Sequence, residues 1–329
     1  MIRVAIVGAG NIGNTHGRCY QKNKDAQIVG VCDVIKEKAQ AAGKAFGCPG
    51  FASVAEMLAA VKVDAASVTT AGAENGADHY APTMELLRGG VAVLGEKPIS
   101  NKIPQAREMV ALAQEKRLAY GINLNHRFTP AARRAKQWLS EGRLGEVNLL
   151  NMTLWINNPN ESAPHFHMRA LHPHSIDVMR YFAGDVRKVQ AFFKKGPGRA
   201  VWSNVQVNML FASGAVGHLT GSYDAGGAYG LEMCEIVGSK ARVTIHDACE
   251  KLVFHPRANK EVESYDFLGG MMGFGETFQA RIDAWIADLV KKTPIDEVDG
   301  KAQDALAAQL VIEAAIQSWE TDTVVTLDA

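Results

Sequence analysis

The chain has little cysteine: five residues, at 19, 32, 48, 234 and 249, an odd number with no pair spaced as CxxC. That argues against a disulfide framework or a thiolate metal clip and points to free thiols in a reducing cytoplasm. No apolar run approaches the roughly 18 residues needed to span a bilayer. Met1-Ile2-Arg3-Val4 enters a glycine turn by residue 8, too early for the apolar region of a secretory leader. Net charge is absent as well: 35 Lys+Arg balance 35 Asp+Glu without a basic run, so neither a nucleic acid nor a membrane surface is an expected partner. Repeats and low-complexity linkers are lacking. What remains is an ordinary globular composition, 47% hydrophobic and 21% charged, in 329 residues. That length is enough for two domains of about 100–200 residues each.

The N-terminal segment is specific. Ile2 to Val7 reads as a buried strand, followed by Gly8-Ala9-Gly10-Asn11-Ile12-Gly13 and a helical stretch to Lys22. A second strand, Gln27 to Cys32, ends in Asp33, at the spacing expected of a ribose ligand. Each part has a physical task. Gly8 permits a tight turn, Gly10 lets backbone amides approach a pyrophosphate, and Gly13 allows close helix–strand packing. The amides and dipole at the helix N-terminus stabilise the phosphate charge. The Asp33 carboxylate accepts from a ribose 2′-hydroxyl and repels a 2′-phosphate, which favours NAD over NADP. Lys36 and Lys38 are the nearest cations that could reverse that preference.

Strands then alternate with helices: Asp64 to Thr69, Tyr80 to Arg88, Val91 to Leu94, Pro104 to Lys116 and Leu118 to Asn123. Such alternation implies a doubly wound parallel sheet, a Rossmann domain over residues 1–123. The strand Val91 to Leu94 leads into Glu96-Lys97-Pro98. Proline pushes the residue before it into extended backbone space. Lys97 is therefore held at the carboxyl end of a strand, where open α/β sheets bind ligands. From residue 124 onward the alternation stops. The segments Glu146 to Trp155, Val186 to Phe193, Asn204 to Phe211, Val216 to Tyr223, Leu231 to Val237 and Arg242 to His246 read as strands, many with period-two patterning. Residues 124–329 thus read as an α+β domain. Its open, largely antiparallel sheet has one face covered by helices, including Leu171 to Phe182, and another awaiting a cover. Glu276 to Lys291 and Lys301 to Trp319 read as closing helices.

Three ordered blocks give the chain its resemblance. They are the glycine loop with Asp33 and Glu96-Lys97-Pro98; Asn125-His126-Arg127-Phe128-Thr129-Pro130-Ala131; and His174-Ser175-Ile176-Asp177 with Arg180-Tyr181-Phe182. Together they resemble the Gfo/Idh/MocA family of NAD(P)-dependent oxidoreductases, which act on sugars, cyclitols and related compounds. The resemblance implies Lys97 and His174 as catalytic groups. It places Thr70, His79, Glu96 and Lys97 beside the glycine loop and Asp33 around the cofactor. It implies a dimer or tetramer formed through the C-terminal sheet, and no metal. Asn125, Arg127, Trp155, His172 and Asp177 are candidate substrate ligands alongside Lys97 and His174; an internal ion pair of Asp177 with Arg127 or Arg180 is the competing reading.

Two departures from the family pattern stand out. A longer, polar loop, residues 71–78, precedes His79. Ala170 occupies the position, one turn before His174, where many members carry an aspartate. That role is then vacant or falls to Arg169 or His172. The expected reaction is oxidation of a secondary alcohol, or reduction of the ketone, with an imidazole pKa near 6.5 suiting His174 as general base and Lys97 stabilising alkoxide character; a Lys97 pKa depressed by its apolar strand would let the lysine take the proton instead. A neutral sugar or inositol is the expected substrate. The alternatives are a relative that cleaves glycosides by transient oxidation, and a non-catalytic nucleotide sensor.

Overall fold

The structure is a computed structural model; it describes all residues except 73–77, 101, 226–230, 248–249, 259, 267–274 and 328–329. The centre of the polar loop before His79, and Cys249, therefore lie outside the described residues. The chain folds as two units, Met1–Asn123 with Phe274–Leu306, and Leu124–Gly273 with Ala307–Ala329.

In the first unit, β1 (Ile2–Val7), α1 (Asn11–Lys22), β2 (Ala26–Cys32), α2 (Lys36–Phe46), β3 (Gly50–Phe51), α3 (Val54–Ala60), β4 (Ala65–Val68), α4 (Tyr80–Arg88), β5 (Ala92–Gly95), α5 (Ile103–Lys116) and β6 (Tyr120–Ile122) follow one another. The strands form a six-stranded parallel sheet in the order β3-β2-β1-β4-β5-β6. The order reverses between β1 and β4, so a crevice opens beyond Val7 and Val68, the switch point where such sheets take ligands. The central strands are apolar because both faces are covered: Ala65, Ala66 and Val68 of β4 are fully buried.

The second unit holds a 3-10 turn (Asn125–Phe128), α6 (Pro130–Ser140), β7 (Val147–Trp155), α7 (Phe166–Leu171), α8 (Pro173–Ala183), β8 (Val186–Lys194), β9 (Asn204–Phe211), β10 (Val216–Ser222), β11 (Leu231–Gly238), β12 (Ala241–His246), β13 (Lys251–Pro256) and β14 (Glu263–Asp266). Later come α9 (Gly275–Lys291), α10 (Ala302–Thr321) and β15 (Val325–Thr326). The nine-stranded sheet runs β14-β13-β12-β11-β7-β10-β9-β8-β15. Its pairs are antiparallel apart from β7 with β10. The helices α6, α8 and α10 lay Trp138, Met179 and Ile312 against one face, over Leu150, Met152 and Ile236. The opposite face is half polar and carries the exposed apolar side chains Trp155, Phe192 and Val216.

Two expectations change. The helix expected over Leu171 to Phe182 begins instead at Pro173, because proline cannot donate to a previous turn and sits at the first position of α8; Leu171 ends the separate α7. The break after Asn123 coincides with the expected domain limit, yet residues 124–329 do not all stay in the second unit. The face of α9 that presents Phe278, Ile282, Trp285 and Ile286 at helical spacing closes the first unit's core against Val4, Tyr20 and Leu94. The buried Arg281 beside them donates to the carbonyls of Ile122 (3.1 Å) and Gly300 (3.3 Å), tying α9 to the end of β6. Among the described residues, no helix is long and apolar enough to cross a membrane.

Candidate active site

The glycine loop has the shape its spacing demands. Gly8 sits at φ +99°, and a β-carbon there would come within 2.8 Å of the Thr69 and Thr70 backbone. A β-carbon on Gly13 would stand 1.9 Å from the Gly8 carbonyl oxygen, so only glycine lets α1 approach β1 this closely. At Gly10 the space a side chain would fill is open for 4 Å. Asn11 and Ile12 are exposed at the start of α1. The Asp33 carboxylate is pinned at the end of β2, accepting from Ala9 N (2.7 Å) and Ile35 N (2.8 Å). A cavity of about 500 Å³ runs from Gly8 and Gly10 past Asp33, Val34 and Lys38 to Thr70 and Pro82. The open side of Gly10, the helix N-terminus and a fixed carboxylate at a cavity rim suit a dinucleotide with a free ribose 2′-hydroxyl. Lys38 lines the same cavity, whereas Lys36 does not. For Asp33→Ser, which keeps a small acceptor near the loop amides, the ratio of kcat/KM for NADP over NAD is expected to rise about 100-fold. That is the loss of one charge-assisted hydrogen bond plus relief of phosphate repulsion. Steady-state kinetics with both cofactors checks it, and an unchanged ratio would move cofactor choice elsewhere.

At the end of β5, Glu96 is buried and its carboxylate points into a polar network. Oε1 accepts from Asn123 Nδ2 (2.5 Å) and bonds His16 Nε2 (3.0 Å), while Oε2 accepts from the Lys97 amide (3.2 Å). His16 continues to Ser67 Oγ (2.9 Å), which Tyr20 also meets (2.8 Å). The Lys97–Pro98 peptide is cis, and the Pro98 carbonyl accepts from His79 Nδ1 (3.0 Å). Of the residues expected beside the cofactor, Gly8, Gly10, Asp33 and Thr70 line the cavity, whereas His79, Glu96 and Lys97 do not, and Glu96 and His79 brace the strand end that carries Lys97. The reason is their burial: an acid and an imidazole with so little exposure find partners inside the domain. Burial lowers the pKa of Lys97, against the opposing pull of Glu96, and burial also lowers that of His79.

In the second unit, His174 lies in the first turn of α8. Its ring stacks on His126 of the 3-10 turn, with centroids 4.0 Å apart and planes at 17°. The neighbouring Arg127 pairs with Asp177 through two contacts, Nε to Oδ2 (2.8 Å) and Nη2 to Oδ1, in a buried setting. Arg127 also lies over the Tyr181 ring at 5.0 Å. Arg127 and Asp177, both expected to face a substrate, are therefore joined to each other, and Asn125 is buried in the same turn. Ala170 packs with Phe166, Val201 and Tyr223. Neither proposed stand-in for the family's aspartate is placed to serve: Arg169 is bound at both ends to Glu313 (2.8 and 2.7 Å). His172 is fully buried, with Nδ1 on Ser175 Oγ (3.1 Å) and Nε2 on His167 Nε2 (3.0 Å). Trp155 is not brought to this group at all. Strand parity puts Leu150, Met152 and Leu154 under the helical layer, leaving Trp155 on the other face with Phe192 and Thr220. Two groups near His174 carry no role in the sequence reading: His126, named only within its block, and Glu232, whose visible signal is an acid at a buried-parity position of β11.

The His167–His172 pair has a consequence for stability. Burial lowers the pKa of His167 to about 3 and that of His172 well below its ordinary value. The unfolded histidines titrate near pH 6.5, so the native state is favoured above that pH and loses ground as protons bind the unfolded chain. Between pH 6.5 and 5, His167 alone should cost about 2 kcal/mol. Urea unfolding across this range should show the decline, and His167→Gln should flatten it; an equally steep profile in the variant would assign the acid sensitivity to other groups.

Comparison with known proteins agrees with this geometry. Residues 2–124 match the family model described as "Oxidoreductase family, NAD-binding Rossmann fold", and residues 132–244 match that of the GFO/IDH/MocA C-terminal domain. The chain belongs to the Gfo/Idh/MocA family. Within it, an inositol 2-dehydrogenase of Rhizobium meliloti (strain 1021) is 25% identical over 96% of both chains. A D-glucoside 3-dehydrogenase of Escherichia coli (strain K12) is 34% identical over 44% of this chain and 41% of its own. The fold is shared with an oxidoreductase from Agrobacterium radiobacter solved with NAD+, L-tartaric acid and magnesium. The TM-score is 0.88 at 18% identity, covering 99% of this chain and 98% of that one. As a Gfo/Idh/MocA oxidoreductase with an NAD-binding Rossmann domain, the chain has a cofactor class that its own loop geometry supports.

Proposed function

We propose that this enzyme oxidises a secondary alcohol of a neutral sugar or cyclitol to the ketone, with NAD as the partner. The observation that carries this reading is the pinned Asp33 carboxylate at the rim of a cavity floored by the open side of Gly10. In the same unit, Lys97 stands at the end of a braced strand. NAD, when bound, supplies a two-electron hydride acceptor, so the balance is alcohol plus NAD+ to ketone, NADH and a proton. Gly8, Gly10 and the first amides of α1 would hold the pyrophosphate, Asp33 the adenosine ribose, and Thr70 the nicotinamide side. His174 takes the hydroxyl proton as general base. Lys97 hydrogen-bonds the reacting oxygen and stabilises alkoxide charge. Its lowered pKa also lets it share that proton. The relatives named above, which act on inositol and a glucoside, support a neutral polyol over a phosphorylated sugar.

The half-polar outer sheet face, with Trp155, Phe192 and Val216 exposed, supports a second copy of the chain as its cover, in a dimer or tetramer. Buried thiols at Cys19, Cys32 and Cys234 fit a cytoplasmic enzyme. The test is a panel of myo-inositol, other cyclitols, free sugars and glycosides with NAD, read at the NADH absorbance. NADH accumulation with one class supports the proposal. Sugar release from a glycoside without NADH would make the enzyme a glycoside-cleaving relative, and NAD binding with no turnover of any panel member would make it a sensor.

A further inference from the structure

We propose that Glu232 and His126 are positioning residues for the catalytic histidine. Glu232 clamps His126 from one side, and the His126 ring fixes the plane of His174 from the other. The inference rests on the reading of His174 as the base. His126 Nδ1 meets Glu232 Oε1 at 2.7 Å, so the carboxylate makes Nδ1 the donor and sets both the tautomer and the tilt of the ring. The ring thus held lies nearly parallel to His174, at 4.0 Å and 17°. The next residue, Arg127, grips Asp177 one turn further along α8. Consecutive residues of the 3-10 turn therefore hold two points on one face of α8, which fixes the helix in rotation as well as the ring in plane.

A purely architectural role accounts poorly for these residue types. Glu232 occupies the inward parity of β11, opposite Leu154, with Cys234 and Ile236 following on the same buried face. Its side chain is 12% exposed and that of His126 is 5% exposed. A polar pair so desolvated adds little stability over apolar side chains of equal size. What it does supply is direction: a carboxylate–imidazole hydrogen bond has one geometry, whereas an aliphatic contact has many.

The test measures kcat and KM for myo-inositol, or the best alcohol of the panel above, in full-length variants at saturating NAD. His126→Ala should lower kcat about 10- to 100-fold, the scale of a small misplacement of a catalytic group. KM should stay within about threefold, because the binding groups are untouched. The double variant His126→Phe with Glu232→Gln restores a flat ring without leaving a carboxylate against it, and should recover most of the lost kcat. His126→Leu, which fills the volume without a flat face, should not recover it, and serves in place of His126→Ala if that variant melts early. A kcat for His126→Ala within twofold of the parent overturns the proposal, as does a Leu variant equal to the Phe variant. His174→Ala separates the two readings. If it is impaired while the His126 variants are normal, only the positioning role fails; if it is itself unimpaired, the base assignment fails and the positioning role with it.

Discussion

Lys97→Met is expected to lower kcat by about three orders of magnitude while NAD binding changes by no more than a few-fold. The magnitude follows from what is removed. A charge aimed at developing alkoxide character contributes roughly 10²–10³ in rate, and sharing of the proton adds to it. Methionine fills much of the same volume without the ammonium. Most of the bracing network below it is kept, since Glu96 retains its bonds to Asn123, His16 and the Lys97 backbone amide and loses only the pull of the ammonium. The Asp33 carboxylate and the glycine loop, proposed above to hold the cofactor, are untouched. Single-turnover hydride transfer, with NAD affinity measured separately by titration calorimetry, tests the prediction. A loss below about tenfold would place the principal charge on another group.

The second large effect is on stability. Asp177→Ala should destabilise the second unit by about 3–5 kcal/mol, because it takes a doubly bonded carboxylate from the buried Arg127 guanidinium. The contact with Tyr181 remains, and a ring face offsets only a fraction of a lost carboxylate. The double replacement Arg127→Met with Asp177→Leu should recover most of that loss, since two apolar side chains of similar size need no desolvation compensation. Denaturant unfolding, followed by Trp138 and Trp202 fluorescence in this unit, distinguishes the variants. A cost below about 1 kcal/mol for Asp177→Ala would mean that water reaches the pair.

The local features that a single segment determines were legible before any coordinates. The glycine spacing, the Asp33 position and the strand carrying Lys97 depend on residues within one βα unit, where sterics and period leave few choices. The helix and strand limits of β9, α4 and β10 follow from the same short-range patterns. Other features needed long-range knowledge. That His126 meets His174 and Glu232 depends on which turn faces which helix, so a histidine inside the Asn125–Phe128 block looked no different from its neighbours. His172 looked like a substrate ligand because spacing says nothing about burial; its bond to His167 is a product of packing. Trp155 looked like a substrate ligand because it ends a strand; which face of the sheet it joins follows from the strand's parity in the packed sheet. The ion-pair reading of Asp177 was available from helical spacing, but the choice of Arg127 over Arg180 was tertiary.

The return of α9 to the first unit bears on the order in which the protein can be made. All six strands of that unit have been synthesised once Ile122 is translated, yet the helix that covers Val4, Tyr20 and Leu94 begins at Gly275. During synthesis this apolar surface waits for an entire intervening unit to be produced, the kind of delay in which nascent chains depend on chaperones. A nucleotide-binding fragment cut at Asn123 would carry the complete glycine loop and Asp33, but with one side of its interior bare to solvent.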